Sequence, residues 1–318
     1  MKKFILKILK TMAVLIIIVL VLMISVATYE YVKVELSASY NAETMTLNYD
    51  ITGSGDKNIL LIHGLAGSKN YWKRGTEHIS KARKLFMVDL LGFGDSPKPQ
   101  SSYSLAVQIE AIEKIILKEG INNGKTIIVG HSLGAIISLA LFAKHPDWFE
   151  GVTTIGLPVI TSEAQFKKQM AANSWFDKLA VSRFGKIFCM LQPLYMIKWL
   201  KPKNMTEDVF SDAKKHTWQS YYYSLNEVIL KTDLDTITKN IRNKKILFIQ
   251  GDLDKTAPMT NVKKFAIKFP NAQLVEVKNG DHQLFLKAPD EIWEWINQFS
   301  ESLESPSNKN QTELKLSF

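Results

Sequence analysis

One stretch limits the fold more than any other: TIIVGHSLGAIISLALFAKHP, residues 126–146. Its first four residues read as a buried strand, and the dozen after the serine read as a helix. Between them lies Gly130-His131-Ser132-Leu133-Gly134. From the chain's own glycine and serine frequencies, this pattern alone arises by chance in roughly one chain of this length in twenty, so its weight comes from context. A serine on a strained strand-to-helix turn brings the two elements so close that the residues two before and two after it must lack side chains. Glycine stands at both positions, and Leu133, Ile136, Ile137, Ala140 and Leu141 follow at the spacing of a helix face packed on a sheet.

The alternation extends along the chain. Residues 58–62 and 84–89 read as short strands, 105–119 as a helix, and 151–156, 245–250 and 273–277 as further strands. Buried strands alternating with helices argue for an α/β domain with a mostly parallel sheet. From 157 to 235 the alternation gives way to a helical, aromatic block with Trp175, Trp199, Trp218 and the run Tyr221, Tyr222, Tyr223. The expected organisation is an N-terminal membrane segment (1–30), a core (40–156 and 236–300), an inserted helical cap (157–235) and a polar, disordered tail (301–318). The 318 residues, 46% hydrophobic, suffice for one sizeable core.

Residues 11–29 carry no charge. A helix of that length, at ~1.5 Å per residue, just crosses a ~30 Å hydrocarbon layer. Lys2, Lys3, Lys7 and Lys10 precede it, so the positive-inside rule puts the N-terminus in the cytoplasm and the domain outside. A cleaved signal peptide, with Ser25 and Ala27 at the cleavage site and a secreted product, is the competing reading; the apolar run is long for one and has no helix-breaker near its end. The net charge of +9 owes much to those four lysines, without which 36 basic side chains face 31 acidic ones. No basic block is dense enough for a nucleic-acid groove, so no nucleic-acid partner is expected. The single cysteine, Cys189, excludes an intramolecular disulfide and a multi-cysteine metal site, and reads as a buried apolar thiol.

A serine hydroxyl is a poor nucleophile near neutral pH and needs a base, with a group to orient that base. His282, in KNGDHQLF, follows one strand, and Asp254, in QGDLDKTAP, follows another. The order Ser132, Asp254, His282 is that of α/β-hydrolase triads. Asp252 rivals Asp254, whereas Asp281 adjoins His282 too closely to face its ring. His63 is expected to shape a turn and His131 to sit in the elbow, while His78, His145 and His216 have no partner pattern. Acyl transfer also needs donors for an oxyanion. The backbone N–H of Leu133 is one, and the loop His63-Gly64-Leu65-Ala66-Gly67 offers a second, from Leu65. Such a donor has been worth about 2.7–4 kcal/mol in a known case.

The segments HGLAGSKNYW, DLLGFGDSPKP, GHSLG, GDLDKTAP and GDHQLF, in this order over residues 45–300 outside the cap, resemble the α/β-hydrolase superfamily. The resemblance implies an eight-stranded, mostly parallel sheet with helices on both faces and a helical cap over the site. It carries the nucleophile onto Ser132, the acid onto Asp254, the base onto His282 and the oxyanion hole onto Leu65 and Leu133. Serine at the elbow argues against epoxide hydrolases and haloalkane dehalogenases, which use aspartate there. Leu91 departs from the arginine many relatives carry in that loop. The architecture looks most like membrane-bound monoacylglycerol lipases and carboxylesterases.

The expected function is therefore hydrolysis of a small acyl ester or lipid through an acyl-enzyme on Ser132, with no metal or organic cofactor. A C–C bond hydrolase or an acyltransferase would use the same triad. A peptidase of this fold lacks obvious amine-recognition acids in the cap. A catalytically silent, membrane-anchored binding module remains the alternative from another class.

Overall fold

The structure, a computed structural model, describes residues 1–304 except 78, 80, 174, 199, 200 and 202–205. The apolar runs become strands β1 (Tyr49–Thr52), β2 (Lys57–Ile62), β3 (Arg83–Val88), β4 (Thr126–His131), β5 (Phe149–Ile155), β6 (Ile246–Gly251) and β7 (Ala272–Val277). They form one sheet in the order β1-β3-β2-β4-β5-β6-β7. β1 runs antiparallel to β3, and every other pairing is parallel.

The helices in chain order are α1 (Lys2–Glu35), α2 (Leu105–Lys118), α3 (Leu133–Lys144), α4 (Glu163–Asn173), α5 (Trp175–Ala180), α6 (Gly185–Met190) and α7 (Gln192–Tyr195). After them come α8 (Glu207–Ala213), α9 (Trp218–Tyr223), a π turn (Ser224–Ile229), α10 (Leu234–Ile237), α11 (Met259–Ala266), α12 (Leu284–Lys287) and α13 (Pro289–Glu304). All the helices from α4 to α10 fall between β5 and β6, where the aromatic block interrupts the strand pattern.

Parallel strands need cover on both faces, and the period-two alternation supplies it. Leu60, Ile62, Phe86, Val88, Ile128 and Phe248 join one apolar layer with residues of α2, α3 and α11. Their sequence neighbours Ile59, Leu61, Leu85, Met87, Ile127 and Ile249 join a second layer with Trp72, Phe285 and the inner face of α13. The expected α/β-hydrolase architecture is present with seven strands among the described residues rather than eight. Ahead of β1, residues 36–48 hold turns and one isolated bridge, Ser39 to Gln100.

The termini extend differently from expectation. Helix α1 does not stop at residue 30 but continues to Glu35, and at 34 residues it is about 51 Å long. Its apolar part has a mean hydropathy of 2.9 and none of it is buried, so by length and composition it can cross a membrane. Its last turns pack on the domain: Val34 is buried, the Trp218 indole N–H donates to the Glu30 carbonyl at 3.1 Å, and Tyr31 stacks on Trp218 with ring centroids 6.2 Å apart. At the other end residues 301–304 complete α13, and the rest of the expected tail lies outside the described residues, as do His78 and Trp199.

Candidate active site

Ser132 sits where β4 turns into α3, at φ 54° and ψ −115°, a conformation L-residues rarely adopt. The strain is held by contact on both sides. A Cβ on Gly130 would collide with the Gly134 carbonyl and the Ser138 hydroxyl, and one on Gly134 with the Ile62 carbonyl. The Ser132 N–H donates to the Ile155 carbonyl at 2.9 Å, which ties the turn to β5. The hydroxyl is thereby aimed out of the sheet end, at the N-terminus of α3, where the helix dipole presents partial positive charge.

Two loops at the same sheet end bring the other candidates to it. The Ser132 hydroxyl donates to His282 Nε2 at 2.9 Å, and His282 Nδ1–H donates to Asp254 Oδ2 at 2.8 Å. Asp254 is fully enclosed and accepts three more hydrogen bonds. Gln250 Nε2 reaches Oδ2 at 3.0 Å, and the N–H groups of Thr256 and Ala257 reach Oδ1 at 2.9 and 2.8 Å. The loops after β6 and β7 are stitched by Asp252 N–H to the Val277 carbonyl and Leu253 N–H to the Gly280 carbonyl. Burial works to lower the pKa of His282, but the charge of Asp254 and its hydrogen bond prevail and hold it above the usual imidazole value.

The rival acids are placed elsewhere. One carboxylate oxygen of Asp252 is buried without a hydrogen-bond partner, and Asp281 binds Lys287 and caps the Gln283 N–H. His63 shapes its turn as expected: Nδ1–H donates to the Gly64 carbonyl at 2.7 Å and Nε2 accepts the Leu90 N–H at 3.0 Å. His131 does more than occupy the elbow. Its Nε2–H donates to the His282 carbonyl at 2.8 Å while its ring stacks on Tyr71 at 4.8 Å. Burial, aided by the positive charge His282 can carry, pushes the pKa of His131 down to about 3, so this donor stays neutral. Cys189 is buried, which pushes its thiol up to about 12.

Leu65 and Ala66, the latter at φ 57°, form a tight turn closed by Gly67 N–H to the Gly64 carbonyl at 3.0 Å, and both face the same cavity as Ser132. Leu133 buries its side chain in the core, and its N–H belongs to the first helical turn, which has no intrahelical acceptor. The cavity above Ser132 holds about 860 Å³. Phe166, Met170, Phe176, Tyr195, Phe210 and Leu225, all from the block between β5 and β6, supply apolar wall. Phe176, Phe188 and Tyr195 also pack on one another at 4.5 to 5.2 Å, so the aromatics of this block make both its own core and the cavity wall.

One part of the site had no signal in the sequence. Asp212 on α8 accepts from Ser68 Oγ at 2.6 Å and Asn70 Nδ2 at 2.7 Å, and pairs with Lys215 at 2.9 Å. One turn earlier on the same helix face, Asp208 meets Arg74 at 3.0 Å. Helix α8 thus grips the segment that directly follows the Leu65 turn.

Comparison with known proteins agrees with this architecture. Residues 57–189 match the family described as alpha/beta hydrolase fold, and residues 226–310 match that described as TAP-like protein. Probable lysophospholipase BODYGUARD 4 of Arabidopsis thaliana is 28% identical over 78% of this chain and 64% of its own length. Monoacylglycerol lipase abhd6-A of Xenopus laevis is 22% identical over 80% of this chain and 78% of its own. The chain spans about three fifths of the length of the plant relatives. Among solved structures, an esterase from Exiguobacterium antarcticum superposes with a TM-score of 0.65 at 14% identity, covering 83% of this chain and 99% of that one.

Proposed function

Since the chain is a member of the α/β-hydrolase superfamily, we propose that it cleaves carboxylic esters of single-chain acyl lipids through an acyl-enzyme on Ser132. The observation that carries this reading is the unbroken run of hydrogen bonds from Ser132 through His282 to Asp254, at 2.9 and 2.8 Å, on the floor of an apolar cavity. Neutral His282 takes the hydroxyl proton as Ser132 Oγ attacks the acyl carbon, and returns it to the leaving alcohol. Water then adds to the acyl-enzyme, again through His282, and the fatty acid leaves. Asp254 holds the imidazole with Nδ1–H toward itself and Nε2 toward Ser132. The backbone N–H groups of Leu65 and Leu133 take the oxyanion, and their side chains act through shape alone.

The relatives named as a lysophospholipase and a monoacylglycerol lipase favour an acyl chain in the apolar cavity. Helix α1 serves as an uncleaved anchor, with the N-terminus cytoplasmic and the domain outside. Its last turns are bonded to Trp218, so anchor and domain meet rigidly at the membrane surface. The test uses the full chain in mixed micelles. A fluorophosphonate probe is expected to label Ser132, and long-chain monoacyl esters to be hydrolysed faster than short soluble ones. Label elsewhere or none would remove the nucleophile; equal rates on long and short chains would remove the lipid preference.

The α8 contacts yield a second expectation. Asp212→Ala frees Ser68 and Asn70 and loosens the turn that carries the Leu65 N–H, so kcat should fall about tenfold with KM little changed. Asp208→Ala, at a half-exposed pair with Arg74, should cost far less. A lower Tm for Asp212→Ala with kcat intact would make α8 a structural strap only.

A further inference from the structure

A second cavity, of about 420 Å³, lies beside the first. One wall is the end of the membrane helix and the turn after it: Glu30, Lys33, Val34 and Ser37. The opposite side is built from α7 and the connection between α8 and α9, and from there Gln192, Met196 and His216 line both cavities. Space at the level where α1 leaves its apolar span thus shares three lining residues with the space above Ser132.

The charge in this second cavity is one-sided. Lys33, Lys98, Lys214 and Lys215 line it against a single carboxylate, Glu30. Two of the four are compensated: Lys215 by Asp95 at 2.8 Å and Asp212 at 2.9 Å, and Lys33 by Glu30 at 3.6 Å. Among the described residues Lys98 and Lys214 have no ion pair. Lys98 donates to the carbonyls of Gly94 and Ser96 at 2.8 and 2.9 Å, and Lys214 lies over the Phe210 ring at 5.3 Å. An ammonium has three donors, and Lys98, half-buried without a carboxylate, is stabilised by an anion that reaches it, while exposed Lys214 adds a second uncompensated charge. Burial already holds Lys98 below the usual lysine pKa, although Asp95 and Asp89 pull the other way.

We infer that this cavity receives the phosphate-bearing headgroup of a lysophospholipid whose acyl ester lies at Ser132, with Lys98 and Lys214 supplying the counter-charge. The inference rests on the ester-hydrolase reading and narrows it: a monoacylglycerol would fill the apolar cavity but leave the lysines unanswered. A lipid phosphate fits better than a free one, because one wall is the end of a membrane helix and the cavity adjoins an acyl-sized apolar space. The headgroup sits at bilayer level, the glycerol passes Gln192 and Met196 to bring the ester to Ser132, and the acyl chain lies beyond it in the apolar cavity.

The experiment compares 1-oleoyl lysophosphatidylglycerol with 1-oleoylglycerol, both in neutral detergent micelles, for the full chain and for Lys214→Gln, Lys98→Gln and the double variant. The double variant is expected to lose tenfold or more in kcat/KM on the lysophospholipid and to stay within twofold of wild type on 1-oleoylglycerol. Lys98 also braces a loop, so Lys98→Gln can disturb folding; Lys214 is exposed, and Lys214→Gln alone should move the substrate ratio at least threefold in the same direction. Equal losses on both substrates, or no loss on either, would overturn the headgroup site. Inorganic phosphate at millimolar concentration serves as the second arm: inhibition by it that vanishes in Lys214→Gln, without any wild-type preference for the lysophospholipid, would assign the cavity to a free anion. If neither ester is cleaved, the hydrolase reading fails. Lysophosphatidylglycerol binding to Ser132→Ala then decides the site: binding weakened by Lys214→Gln upholds it, and unaffected binding ends it.

Discussion

Ser132→Ala is expected to lower ester turnover by about 10⁶-fold, the loss seen when a serine protease is stripped of its nucleophile. It should leave the thermal unfolding midpoint nearly unchanged. Alanine keeps the Cβ and therefore the packing of the turn, and the backbone at φ 54° is no more strained with a methyl group than with a hydroxymethyl. The hydroxyl gives up one hydrogen bond, to His282 at 2.9 Å, and the imidazole remains held by Asp254 on the other side. In the proposed triad Ser132 and His282 act as a unit, so His282→Ala should cost about as much, and the double variant little more than either. Any surviving activity is expected from the backbone N–H groups proposed as oxyanion donors, Leu65 and Leu133, and from the proposed acyl-chain binding, neither of which the substitution touches. The check is kcat on a long-chain ester together with a melting curve. A folded Ser132→Ala protein within tenfold of wild type would mean that another group attacks the ester.

Much of the frame behind this prediction is legible in the residues, and the misses have physical causes. Strand β3 is Arg83–Val88 against an expected 84–89, because a buried parallel strand is a continuous apolar run with sharp polar edges; β7, at the sheet edge and mostly half-buried, is Ala272–Val277 against 273–277. Edge strand β1, Tyr49–Thr52, is half-exposed and only four residues long, so its strand-favouring Tyr, Ile and Thr make too short a run to stand out. The end of α1 escaped because a reading by charge stops at Glu30. The helix continues since Val34 is buried and Trp218 holds the Glu30 carbonyl. At the site, Ser132, Asp254 and His282 are marked in the sequence by standing at strand ends. Asp212 is not: it meets Ser68 across 144 positions, and an aspartate on a short helix carries no mark of that partnership.

Asp254→Asn is expected to lower kcat by about 10⁴-fold, and the same change at Asp252 to leave it near wild type. The cause lies in which groups cannot turn. The N–H groups of Thr256 and Ala257 both donate to Asp254 Oδ1, so an asparagine there must give its oxygen to them and aim its NH₂ at His282. Facing a donor, His282 Nδ1 becomes the acceptor, the proton moves to Nε2, and the lone pair that should receive the Ser132 proton is gone. Asp252 has no such contact, and one of its buried oxygens has no hydrogen-bond partner at all. The pH profile separates this role from a structural one. In the wild type kcat/KM should rise with pH through a pKa above 6.5, since burial of His282 is outweighed by Asp254 and only neutral imidazole is a base. With Asp254→Asn the charge is lost but the burial stays, so the residual activity should reach half its maximum at lower pH than in the wild type. If Asp252→Asn instead removed activity and shifted the profile, while Asp254→Asn did neither, the orienting acid would be Asp252, and His282 would have to swing toward it during turnover.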